Sequence, residues 1–83
     1  MLTISVISPE AQVFQGETDS VVAPAFDGEV GIRTGHAPMM ALLGKGELRV
    51  AVSGASKRFQ VEGGVLQVVD NQVRVVTERA QAV

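Results

Sequence analysis

The chain has 83 residues, a formal net charge of −2, 46% hydrophobic and 19% charged residues, no cysteine, one histidine and three aromatic residues, all Phe. This composition argues against a disulfide framework, a thiolate metal site or a structural zinc site. The seven scattered Lys and Arg form no basic stripe and there are few rings to stack on bases, which argues against nucleic-acid binding.

No apolar run approaches the roughly 20 residues of a membrane helix. The start "MLTISVISPE" has no basic segment ahead of an apolar core, so the expectation is a soluble, intracellular chain without a signal peptide. A chain this short buries only roughly 60–65% of the surface its unfolded form exposes. Its apolar residues therefore fill a modest core, or some of them are kept at the surface for a partner.

In chain order, "LTISVIS" sets Leu2, Ile4 and Val6 on one face and Thr3 and Ser5 on the other, a half-buried strand. Ser8-Pro9-Glu10 is turn chemistry. "AQVFQGE" reads as a short second strand carrying Val13 and Phe14 and broken at Gly16. "TDSVVAPAF" reads as a third strand that Pro24 ends or pushes to an edge.

Asp27-Gly28 is a tight-turn pair, and Gly28, Gly31 and Gly35 fall within eight residues, which rules out a stable helix there. Gly28 and Gly31 are expected at positive φ. "HAPMMALLGKG" reads as irregular or strand-like, with at most one helical turn between Pro38 and Gly44. A hairpin follows: Leu48, Val50 and Val52 face inward, Ser53–Ser56 turns the chain, and Phe59 and Val61 return on the buried side. A second hairpin turns at Asp70-Asn71, two residue types that tolerate φ > 0. Short strands spaced by about 8–12 residues predict an all-β fold, a sandwich or barrel, in one domain over residues 1–83.

Catalytic chemistry is hard to assemble. Any Ser-His-Asp site would need His36, and "TGHAP" contains no nucleophile elbow. Asp27 and Glu29 share a strand face, but a solvated turn explains them without acid–base work. "GEVGIRTG" lacks the spacing of a dinucleotide fingerprint and the Lys-Ser/Thr of a P-loop. His36 reads as a turn residue, and Met39-Met40 as core or as an adaptable apolar contact. No cofactor or metal is expected.

Four blocks occur in a telling order: "SVISPEAQVF", "DGEVGIRTGHAP", "LGKGELRV" and "GGVLQVVDNQVRVV". Together they resemble the epsilon subunit of bacterial F-type ATP synthases over roughly residues 2 to 78, and the G-E-V-G-I-x-x-G-H-A-P block is the most specific part. The resemblance implies a small β-sandwich of about ten short, mostly antiparallel strands. It implies a non-catalytic rotor subunit of the central stalk, linking the gamma subunit to the polar loops of the c-ring in a proton- or sodium-translocating synthase. Its place would be peripheral, on the cytoplasmic face of the bacterial inner membrane.

By the same resemblance, the c-ring contact maps to Phe26, Asp27, Gly28, Glu29 and Val30 with His36, and Asp27 and Glu29 would face basic or amide groups there. The gamma contact maps to Ser8 and to Met40, Ala41, Leu42 and Leu43. Many such subunits continue into an inhibitory C-terminal helical hairpin. "TERAQAV" could begin a helix but is too short for a hairpin, so no C-terminal helical domain is expected within these residues. Arg33-Thr34 also departs from the aromatic or apolar residue and proline common in the family. Two other readings compete: a generic β-sandwich adaptor with a different partner, and an enzyme using His36 with Asp27 or Glu29 in a concave pocket.

Overall fold

The alternation resolves into ten strands and no helix in a computed structural model that describes residues 1–83. They are β1 (Leu2–Ile7), β2 (Gln12–Thr18), β3 (Ser20–Ala25), β4 (Gly28–Arg33), β5 (Met39–Leu42), β6 (Lys45–Val52), β7 (Ala55–Glu62), β8 (Val65–Val69), β9 (Gln72–Val76) and β10 (Arg79–Ala82). One five-stranded sheet has the order β2-β1-β9-β8-β5 and the other β10-β7-β6-β3-β4. Only β1 and β9 run parallel; the other pairs are antiparallel. The fold is the expected β-sandwich.

Period-2 alternation sends one side of each strand into a common core. Leu2, Ile4 and Val6 of β1, Val21 and Ala23 of β3, Leu48 and Val50 of β6, and Leu66, Val68, Val73 and Val75 of β8 and β9 belong to one cluster of 15 buried residues drawn from both sheets. Phe14 of β2 and Phe59 of β7 close one flank, with ring centroids 5.7 Å apart and planes tilted by 44°.

Several expectations are revised. β2 runs through Gly16 without a break, because the Phe14 ring lies over the space a side chain would fill. Pro24 does not end β3. Its carbonyl accepts the Gly44 N–H at 2.8 Å, so its nitrogen faces the same way, beyond Val22 where the pairing with β6 stops. No ladder bond with β4 is lost. Residues 39–42 form a strand with no helical turn, and residues 79–82 pair with β7 instead of starting a helix. The β6–β7 turn is tighter than expected: Ser53 and Gly54 alone make it, at φ 50° and 80°. Asp70 and Asn71 make the β8–β9 turn at φ 48° and 61°, as their residue types allow.

The chain passes between sheets at a few tight corners. Leu43–Gly44 links β5 to β6 and Gly63–Gly64 links β7 to β8. The two crossings are tied by Leu43 N–H to Gly64 O (2.9 Å) and Gly63 N–H to Gly44 O (3.2 Å). The third, at Thr77–Glu78, is locked by the buried Thr77 hydroxyl, which lies 2.8 Å from Gly63 O, 3.1 Å from Glu62 O and 3.0 Å from Arg79 O. At the opposite end Thr18 does the same between β2 and β3, its hydroxyl against the carbonyls of Ser20 and Ala51. Each threonine satisfies backbone groups that leave one ladder before joining the next.

Candidate functional site

The two outer faces differ in chemistry. The face of the β3–β4–β6–β7–β10 sheet is charged. Glu29 Oε2 is 3.5 Å from Arg49 Nη2, Arg49 Nη1 is 3.6 Å from Glu47 Oε1, and Arg58 Nη1 is 3.8 Å from Glu47 Oε2. Lys45 and Glu62 add a pair at 3.6 Å. All are solvent-exposed enough that each contributes about 0–1 kcal/mol.

The other sheet's outer face is almost free of charge. Its pairing register lines up Leu42, Val65, Val76 and Ile7 as one apolar row across β5, β8, β9 and β1. Leu42 is 64% exposed and Val76 42%, and Met40 stands beside Leu42 on the same edge at 69%. Arg74 lies in the neighbouring row, opposite Gln67 and Ser5. A contiguous uncharged patch of this kind on a sheet face has the composition of an interface centre.

The residues expected to touch gamma fall partly on this face. Met40 and Leu42 point outward. Ala41 sits opposite the buried Leu66, and Leu43, at 5% exposure, belongs to the core. Strand alternation splits the four-residue run between the two sides. Ser8 closes a turn with Ala11 (Ser8 N–H to Ala11 O, 2.9 Å) directly after Ile7, so it borders the far end of the apolar row. Val65 and Val76, the middle of that row, were not singled out from sequence. Their signal was an apolar residue on both sides of each strand, Val65-Leu66 and Val75-Val76, where the alternation fails.

The residues expected to touch the c-ring do not form one cluster. Phe26 and Asp27 are the two-residue turn between Ala25 and Gly28, and Gly28 has φ 131° as expected. Phe26 is 73% exposed, and its N–H donates to Leu42 O at 2.8 Å, which puts it at the corner of the apolar row. Glu29 is held by Arg49, while Asp27 has no cation within 4 Å. His36 lies at the other end of β4: its N–H donates to Arg33 O at 3.1 Å. Gly28 and Arg33 end the same strand, roughly 17 Å apart at a rise of about 3.4 Å per residue. Gly31, expected at positive φ, is an ordinary strand residue.

A residue missed from sequence holds the His36 loop in place. Asn71 Oδ1 accepts the Gly35 N–H at 2.7 Å, while Asn71 O accepts the Thr3 N–H at 2.9 Å. One turn residue thus joins β1, the β8–β9 hairpin and the β4–β5 loop. His36 Nδ1 lies 2.7 Å from Ala37 O. A carbonyl only accepts, so Nδ1 carries the proton and Nε2 of the neutral ring is left as an acceptor. Asn71→Gly keeps the positive φ and removes only the side-chain acceptor. It is expected to cost about 1 kcal/mol or less and to speed exchange of the Gly35 amide at least about tenfold, read by hydrogen-exchange NMR.

The concave pocket that an enzyme would need around His36 is not where the hollows are. Of three surface depressions, the largest, about 380 Å³, lies between Phe14, Phe59 and Lys57, and none is lined by His36, Asp27 or Glu29.

The sandwich thus has one charged face, one nearly uncharged face and exposed apolar side chains at the edge between them, the surface composition typical of a protein-binding module. The full length, residues 1–83, matches the family model of the ATP synthase delta/epsilon chain β-sandwich domain. The ATP synthase epsilon chain of Leptospira borgpetersenii is 44% identical over 77 residues, covering 93% of this chain and 61% of that protein. The ATP synthase epsilon chain of Chlorobium limicola is 40% identical, covering 90% and 86% respectively. Among solved structures, a chain of the Euglena gracilis mitochondrial ATP synthase superposes with a TM-score of 0.91 at 21% identity, over 98% of this chain and 52% of its own. The chain belongs to the ATP synthase delta/epsilon family, and it spans about three-fifths of the length of the Leptospira relative.

Proposed function

We propose that this chain is the β-sandwich part of a central-stalk rotor subunit, joining the gamma subunit to the c-ring of a proton- or sodium-driven ATP synthase, with no catalysis of its own. The observation that carries the reading is the Leu42–Val65–Val76–Ile7 row on a sheet face nearly free of charge. Gamma docks on that face, between Ser8 at one end and Met40 and Leu42 at the other. Ala41 and Leu43 support the contact from the core side. Apolar burial there supplies roughly 25 cal/mol per Å² before association costs.

The c-ring lies against the rim of the other sheet. That rim runs from the Phe26–Asp27 turn through Gly28, Glu29 and Val30 along β4 to His36. Because the expected contacts fall at both ends of β4, the ring contact is an edge, not a single loop. The complex places the chain at the cytoplasmic face of the bacterial inner membrane, held peripherally through its partners.

The test is size-exclusion co-elution with the cognate gamma subunit, followed by calorimetric titration. A one-to-one complex whose binding heat becomes more exothermic on warming is expected, since apolar burial gives a negative heat-capacity change. Failure to bind gamma would favour an adaptor with another partner.

A further inference from the structure

We infer that Arg74 sets the specificity of the uncharged face: the partner segment that covers the Leu42–Val65–Val76–Ile7 row carries a carboxylate that pairs with the Arg74 guanidinium. The inference rests on the gamma-docking reading above and adds to it the charged group that gamma must supply.

Arg74 is the middle residue of β9, and β9 is the middle strand of its sheet. It faces outward between the buried Val73 and Val75. Its row runs Gln15, Ser5, Arg74, Gln67 and Met40 across the five strands. The apolar row lies on one side of it, and Thr3, Gln72 and Val69 lie on the other. None of these neighbours carries a charge. The one outward carboxylate of these strands, Glu17, stands opposite Thr3 on β2, two strands away and in the next row.

The other cations are placed differently. Lys45, Arg49 and Arg58 each have a carboxylate within 4 Å. Lys57 stands over the Phe14 ring at 5.5 Å. Arg33 and Arg79 sit at the ends of edge strands. Arg74 alone is an unpaired charge in the interior of a sheet face. It also lines both hollows of that face, one of about 340 Å³ toward β1 and β2 and one of about 200 Å³ toward β8, and neither is lined by an acidic residue.

In the free chain the guanidinium is hydrated and needs no partner. Docking on the neighbouring row removes that water. A guanidinium covered without a counter-charge is costly, whereas a carboxylate meets two of its N–H donors at once. Arginine near the centre of an interface is among the residues that carry most of the binding energy. Arg74 and Val76 are two residues apart on one strand face, roughly 7 Å. The partner carboxylate therefore lies about that far from the side chain covering Val76, about one turn along a helix or two residues along a strand. A basic residue at that place is rejected, so the apolar row supplies affinity and Arg74 supplies selection.

The experiment uses this chain with its cognate gamma subunit. Parent, Arg74→Gln, Arg74→Glu and Leu42→Ala are compared by thermal midpoint and by calorimetric titration at about 50 and about 500 mM salt. The Arg74 variants are expected to melt within a few degrees of the parent, because Arg74 pairs with no carboxylate in the free chain. At low salt, gamma affinity is expected to fall about tenfold for Arg74→Gln and about a hundredfold or more for Arg74→Glu. The added salt is expected to weaken the parent several-fold more than Arg74→Gln. Single Asp→Lys and Glu→Lys changes in gamma are then paired with Arg74→Glu, and one of them is expected to restore affinity by about tenfold or more. Three outcomes overturn the inference. Gamma affinity of Arg74→Gln within about twofold of the parent, with Leu42→Ala weakening it, removes Arg74 and leaves the gamma face standing. A weakened Arg74→Gln with the parent's salt response and no rescuing change in gamma means that Arg74 meets a neutral group. A parent that does not bind gamma removes the gamma-docking reading, and this inference with it.

Discussion

Gly64→Ala is expected to lose about 3–5 kcal/mol, enough to leave a chain of this size partly or wholly unfolded at room temperature. Gly64 sits at φ 109°, where residues with a Cβ are strained, and its crossing is crowded by backbone. An added Cβ would lie 2.0 Å from Val76 O and 2.6 Å from Thr77 Cα. Nothing flexible can yield there. Val76 ends β9 and Thr77 begins the next crossing, with its hydroxyl in hydrogen-bond reach of the Gly63 and Glu62 carbonyls, so any shift spreads into both crossings. Gly54→Ala is the control. It has φ 80° but open space around it, and is expected to cost only about 1 kcal/mol. Urea unfolding followed by far-UV circular dichroism measures both. Equal midpoints for the two variants would show that the Gly63–Gly64 corner relaxes freely.

The second large effect is on binding. Val76→Glu is expected to leave the thermal midpoint within a few degrees of the parent and to weaken gamma binding by about a hundredfold or more. Val76 faces solvent in the free chain, so a carboxylate there is hydrated until gamma covers it. Docking would then bury an unpaired charge in the middle of the apolar row. Lys57→Glu, on β7 of the other sheet, reverses a charge away from that row and is expected to leave gamma affinity unchanged. Calorimetric titration separates the cases. A Val76→Glu variant that binds gamma like the parent would move the docking face elsewhere.

Much of the architecture was legible because it rests on local chemistry. Alternation in "LTISVIS" and the Asp70-Asn71 turn act through neighbouring residues, and the ordered blocks around "GEVGIRTGHAP" carried the family resemblance. The misreadings came where distant parts of the chain decide the outcome. Pro24 stays within β3 because its nitrogen points past the end of the pairing with β6, and only the register shows that. Gly16 is tolerated in β2 because Phe14 covers it. The terminal residues pair with β7 instead of forming a helix, since an open sheet edge is available to them.

The same division holds for the candidate site. Which residue types carry it could be read from the chain: Phe26, Asp27 and Glu29 at a turn, and Met40 and Leu42 in an apolar run. Their grouping could not. Strand pairing aligned Leu42, Val65, Val76 and Ile7, residues far apart in sequence, and turned Ala41 and Leu43 away from the surface they had been assigned to. The length of β4 separated His36 from Phe26 although only nine residues lie between them. By itself the sequence determined an all-β fold, a sandwich or barrel, because side-chain period and turn residues act locally, and its ordered blocks carried the resemblance to ATP synthase epsilon subunits. Only the tertiary structure decided which residues share a face, because register and the crossings between sheets are set by contacts between distant strands.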